Sequence, residues 1–96
     1  MRTYEVMLIL PPDADEGVVA GVTDRIRQTL SERGGEIAST TPWGRRRLAY
    51  EIAHLAEGFY LIVACTADPA AIKELDRVLT LSDDVVRFKV VVRSAA

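Results

Sequence analysis

"TPWGRRRLAYEIA", residues 41–53, lies near the middle of a 96-residue chain, and its reading decides the fold. Leu48, Tyr50 and Ile52 recur at every second position. That is the spacing of a half-buried strand, in which alternate side chains share a face. The strand extends over residues 36–53 and is interrupted at Pro42 and Gly44. Proline cannot donate to a strand ladder, so a bulge or flexible tip is expected there. "HLAEG" (54–58) reads as a turn, and "FYLIVACTA" (59–67) as a second, central strand. Two successive strands therefore occupy the middle of the chain, with no helix between them.

The flanks supply one strand and one helix each. "YEVMLIL" (4–10) is an apolar run rich in β-formers and closed by Pro11-Pro12. After it, "DADEG" brings acids suited to a first helical turn, and Val18, Val22, Ile26 and Leu30 recur every fourth residue. Gly34-Gly35 ends that helix, because glycine takes the left-handed cap conformation without steric cost. On the other side, Asp68-Pro69 reads as an N-cap with proline at the first helical position. Ile72, Leu75, Val78 and Leu79 make a second helical stripe, "SDD" (82–84) a turn, and "VVRFKVVVR" (85–93) a last strand.

The order β-α-β-β-α-β predicts an α+β, ferredoxin-like fold over residues 1–96 as one domain. A four-stranded antiparallel sheet would carry both helices on one face and leave the other open. Val6, Leu8 and Leu10 then share the covered face in the first strand, opposite Glu5, Met7 and Ile9. In the last strand Val86, Phe88, Val90 and Val92 are expected on the core face, opposite Arg87, Lys89, Val91 and Arg93.

The composition, 49% hydrophobic and 27% charged, is that of an ordinary globular domain. A single cysteine excludes an internal disulfide, and the simplest expectation is a cytosolic, metal-free protein. The apolar run at 6–10 is too short for a secretory leader, and no run approaches the roughly 18 apolar residues of a membrane span.

Net charge is −2, but the charge is segregated. The strands and their tips hold Arg2, Arg45, Arg46, Arg47, Arg87, Lys89 and Arg93 against Glu5, Glu36, Glu51 and Glu57. The other five cations and ten acids belong to the helices and their flanks. A molecule polarised in this way can steer its sheet side toward phosphate. The same cations also suit a solvated rim that protects strand edges.

Catalytic groups do not converge. His54 is a lone histidine in a turn, and Cys65 alternates with Leu61 and Val63 as a buried thiol would. The two cannot make a metal site alone, and no glycine-rich phosphate loop follows a strand. No enzyme, cofactor or small-molecule substrate is expected. "EGFYLIVA" (57–64) is similar to the RNP1 signature of RNA-recognition motifs, but Glu57 replaces its basic residue and Tyr60 its small one.

At Gly44, Arg46, Arg47, Leu48, Ala49, Tyr50 and Ile52 the sequence resembles the signature of the bacterial small-subunit ribosomal protein six family. "MRTYEVMLIL", "EGFYLI" and "VVRFKVVV" resemble its first, third and last strands, so the resemblance covers nearly the whole chain. Ala53 takes the small rather than the basic option usual there, which removes one possible phosphate contact, and some members continue past the last strand where this sequence stops at Ala96. The resemblance implies a ferredoxin-like fold without catalytic activity or cofactor. It also implies a partner, small-subunit ribosomal protein eighteen, and binding of the pair to the central domain of small-subunit ribosomal RNA.

RNA contacts are therefore expected among Arg2, Arg45, Arg46, Arg47, Arg87 and Lys89, through phosphates rather than bases, because few exposed aromatics are expected. Alternation sends Arg46 to one side of its strand and Arg45 and Arg47 to the other. Met7, Tyr60, Ile62 and Val91 are the expected partner-docking residues on the open face. A sensor or dimerisation module on the same fold is the competing reading. A small acylphosphatase-like enzyme would need a basic loop after the first strand, where this chain has "PPDADEG".

Overall fold

Six elements follow the expected order: β1 (Arg2–Leu10), α1 (Glu16–Ser31), β2 (Glu36–Ile52), β3 (Leu55–Ala67), α2 (Pro69–Thr80) and β4 (Arg87–Ser94). The structure is a computed structural model that describes residues 1–52 and 55–94, without the side chains of 49–52 and 94. The expectations for Tyr50 and Ile52 on the shared face of a half-buried strand, for Ala53 and for His54 in a turn lie outside what is described.

The strands form one sheet in the order β2-β3-β1-β4, with every neighbouring pair antiparallel. The two interior strands, β1 and β3, are the most apolar segments of the chain. Val6, Leu8 and Leu10 of β1 and Leu61, Val63, Cys65 and Ala67 of β3 are buried on one face. Val22, Ile26 and Leu30 of α1 and Ala71, Leu75 and Leu79 of α2 pack onto that face. Full burial of each large apolar side chain stabilises the fold by about 1.5–3 kcal/mol. This helix-covered layer is the whole of the main core, so the opposite sheet face is left without helices.

The caps act where the sequence places them. Asp15 Oδ1 accepts from the Val18 amide at 2.9 Å, and Asp68 Oδ1 accepts from the Ala71 amide at 2.8 Å, ahead of Pro69. Gly34 adopts φ 79° after α1. Gly35 is glycine for another reason: a Cβ there would lie 2.9 Å from the Thr66 carbonyl oxygen, so the helix end meets β3 too closely for a side chain. Thr23 and Thr29, buried on α1, donate to the Val19 and Arg25 carbonyls.

Three features depart from expectation. The segment 54–58 does not read as a turn over its described residues, because β3 already begins at Leu55. Pairing of β1 with β3 stops at Leu10–Phe59, whereas β2 and β3 stay paired to Ile52–Leu55. The extra length is a two-stranded hairpin beyond the sheet. Its β3 side, "LAEG" (55–58), lacks the apolar alternation that marks a strand in sequence. Second, β2 carries three register shifts, and only the one between Pro42 and Gly44 is signalled by residue type. Third, β4 starts at Arg87 rather than at residue 85, and its apolar face is buried only in part. Phe88 and Val90 are half-buried and Val92 is 53% exposed, because β4 is an edge strand with a neighbour on one side only.

Candidate functional site

Antiparallel partners in register point to the same side of a sheet, so the open face can be followed in rows across β2, β3, β1 and β4. One row is Gly44, Tyr60, Ile9 and Arg87. The next is Thr41, Ile62, Met7 and Lys89, and the third is Ser39, Ala64, Glu5 and Val91. The two middle columns make an apolar floor of Tyr60, Ile62, Ile9 and Met7, the last 36% exposed. The β4 column adds Arg87 and Lys89 at the edge. These six residues border a shallow groove of about 360 Å³.

The other edge of the floor, Ser39, Thr41 and Gly44, is uncharged, with one cation at its corner. Arg46 pairs with Gly58, two residues before Tyr60 on β3, and so takes the open-face side. Arg45 pairs with Phe59 and Arg47 with Glu57, which puts both on the opposite side. The three arginines stand where the hairpin leaves the sheet, since Phe59 is the last β3 residue paired with β1. Three strand spacings separate the β2 and β4 edges, about 14 Å. At the far end of the face the charge is balanced instead: Arg93 Nη1 lies 3.9 Å from Glu5 Oε1.

Of the six cations expected to bind RNA, the fold thus gathers Arg46, Arg87 and Lys89 around the open face. Arg45 and Arg47 flank it from behind. Arg2 is apart, paired with Ala67 at the other end of β1 on the helix-covered side. Eight residue steps along β1 separate it from Leu10, about 27 Å. Met7, Tyr60, Ile62 and Val91 do lie on one face, with Val91 one row beyond the groove.

Leu48 is buried, but not in the helix-covered core. A Cβ on Gly58 would lie 2.5 Å from Ile9 Cγ2 and 3.5 Å from Leu48 Cδ2. Ile9 and Leu48 therefore close over a bare glycine and anchor the hairpin to the open face of the sheet. No spacing rule in the sequence links residues 9, 48 and 58.

Trp43 is the residue the sequence reading undervalued. It is 48% exposed, beside the β2 register shift, and Arg46 Cζ lies 5.3 Å from its ring centroid, within cation–π range. Gly44 next to it has φ 86° and open space where a Cβ would stand. The signal was present: a tryptophan between proline and glycine, in a strand interrupted by both, has no regular place in a core.

The remaining singled-out groups are structural. Cys65 is buried in β3, and burial pushes its thiol pKa up, away from thiolate chemistry. On the helical side, Arg77 Nε donates to Glu74 Oε1 at 3.1 Å, and this bond holds the Glu74 carboxyl below its ordinary range. No helix among the described residues is long and apolar enough to cross a membrane.

Comparison with known proteins gives a consistent result. The profile of the family described as "Ribosomal protein S6" matches residues 3–92. The small ribosomal subunit protein bS6 of Exiguobacterium sibiricum is 46% identical over 90 residues, covering 94% of this chain and 95% of that protein. That of Symbiobacterium thermophilum is 45% identical over 91 residues, covering 95% and 96%. Among solved structures, 30S ribosomal protein S6 from Thermotoga maritima superposes with a TM-score of 0.84 at 28% identity, covering 96% of this chain and 87% of that one. The C-terminal domain of the MgtC protein from Mycobacterium tuberculosis shares the fold, with a TM-score of 0.63 at 15% identity, covering 100% of this chain and 92% of that one.

Proposed function

The chain belongs to the ribosomal protein S6 family of the small ribosomal subunit, and from that membership we propose that it is a non-catalytic, cytoplasmic RNA- and protein-binding component of the subunit. The open sheet face docks small-subunit ribosomal protein eighteen, and the pair binds central-domain ribosomal RNA. The observation that carries this reading is the apolar floor of Met7, Ile9, Tyr60 and Ile62, with Arg87 and Lys89 along its β4 edge and Arg46 at the opposite corner. An apolar patch of this kind on a small domain is a typical interaction surface. Arginine and lysine at its margins are suited to phosphate, arginine through its planar fork.

The two parts of the site divide the work. The floor supplies apolar area for the partner protein, with Ile62 near its centre. Arg46 and Arg87, on opposite edges, and Lys89 beside Arg87 supply positioning contacts to RNA, with Arg45 and Arg47 within reach of a strand that wraps the hairpin root. Arg2 is too far along β1 to share that footprint and is not one of its phosphate contacts.

Co-sedimentation with small subunits and salt titration of the protein–partner pair on central-domain RNA test the reading together. With three or four phosphate contacts, log affinity should fall with log salt at a slope of about −2 to −4, so that going from about 50 to 200 mM weakens binding about 20- to 200-fold. Arg46→Ala and Arg87→Ala should each reduce the slope by about one, and Arg2→Ala should leave it unchanged. An Ile62→Glu variant should lose the partner while keeping its fold. Wild-type slope and affinity in both arginine variants would reduce the basic edges to a solvated rim. A homodimer formed through the open face, dispersed by Ile62→Glu, would favour the dimerisation module instead.

A further inference from the structure

We propose that Trp43 and Arg46 together form a stacking platform for an unpaired RNA base, a proposal that rests on the RNA-binding reading above and assigns it one contact of a different kind. The geometry is that of a prepared surface. The Arg46 guanidinium carbon lies over the Trp43 ring, 5.3 Å from its centroid, so the cation and the indole face are already in contact range. The ring is 48% exposed, on a strand whose register shifts beside it. The glycine that follows leaves open space next to it.

The chemistry favours nucleic acid over an apolar protein surface. Trp43 is followed by Gly44 and then by Arg45, Arg46 and Arg47, and only Glu57 among the acids faces them in register. An apolar partner docking on this ring would have to bring the Arg46 guanidinium into a dry interface, with Arg45 and Arg47 on the other side of the same strand, which is costly unless the charge is paired. A nucleotide presents a flat π-face to the indole and a phosphate to the neighbouring cation, which matches both halves of the platform. Stacking on aromatic side chains and on arginine planes is how unpaired bases are held, and it is tolerant of base identity.

The test uses the chain with its partner and the central-domain RNA fragment. Trp43 is the only tryptophan in the sequence, so 5-fluorotryptophan labels this position alone. Its fluorine resonance should move when RNA is added to the protein–partner pair. Trp43→Ala should weaken RNA binding about 5- to 150-fold, the range for loss of one stacked base, and Trp43→Phe should recover most of it. The salt slope should stay at the wild-type value in both variants, because stacking releases no counterions, whereas Arg46→Ala should lower it. Unchanged affinity in Trp43→Ala, or a fluorine shift complete on adding the partner alone and unaltered by RNA, would overturn the platform while leaving phosphate binding in place. A wild-type pair that shows no salt-dependent RNA binding would overturn both.

Discussion

Gly58 is the residue on which the open face turns. Its missing side chain leaves room for Ile9 and Leu48 over the strand, and a Cβ would sit 2.5 Å from the β-branched methyl of Ile9, which lies close to its own backbone. Gly58→Ala should therefore destabilise the protein by about 1–3 kcal/mol, as overpacking does. In an Ile9→Ala background the same change should cost at least about 1 kcal/mol less, which a double-mutant cycle in urea would measure. Equal costs in the two backgrounds would mean that the clash is absorbed elsewhere. Cys65 offers a second check. Burial raises its thiol pKa in the folded state, so the native protein holds that proton when the unfolded chain has begun to lose it. The thiol's contribution is complete below the unfolded value of about 8.5 and is lost as pH climbs through the folded one. Stability should decline as pH rises above about 8.5, and Cys65→Ala should flatten that decline in urea midpoints taken above that pH. At this scale the sequence was readable where a residue acts on its chain neighbours, as Asp15, Asp68 and Gly34 do. It was unreadable at Gly58 and Trp43, whose roles depend on groups brought together only by register.

Among the elements, the contrast between interior and edge strands sets what each substitution costs. Leu8 on β1 is buried between two neighbouring strands and beneath the helices, whereas Phe88 on β4 is half-buried at the edge. Leu8→Ala should cost about 2–5 kcal/mol, and Phe88→Ala less than the roughly 3–5 kcal/mol of a fully buried phenylalanine despite the larger side chain. A Phe88 loss larger than the Leu8 loss, read from chemical denaturation, would contradict this placement. The alternation in "VVRFKVVVR" correctly separates the two faces of β4, but alternation carries no information about which strand lies at the edge. The same limit applies to the hairpin. Its alternation at Leu48, Tyr50 and Ile52 was legible as a strand, yet its reach past Phe59 was not, because β3 there reads "LAEG" and lacks an apolar partner pattern.

The whole molecule separates its tasks by side: helices and core on one face, an apolar floor with basic margins on the other. The order of elements was enough to foresee that division, and the charge split between strands and helices agreed with it. What brings the cations into one neighbourhood is the strand order β2-β3-β1-β4, which composition does not encode. That order makes β4 indispensable, since it covers one edge of β1 and adds Phe88 and Val90 to the core. A chain ending before Arg87 should show no cooperative urea transition by circular dichroism, and a sharp transition would refute the point. There is also a consequence in time. β1 is translated first, but its two neighbours are β3, which starts at Leu55, and β4, which starts at Arg87. At a synthesis rate of about 5–20 residues per second, β4 follows the end of β1 by about 4–15 s. Through that interval the most apolar strand of the nascent chain has at least one edge unmatched. Until its final strand has cleared the exit tunnel, each newly made copy therefore carries a strand edge open to pairing with its neighbours.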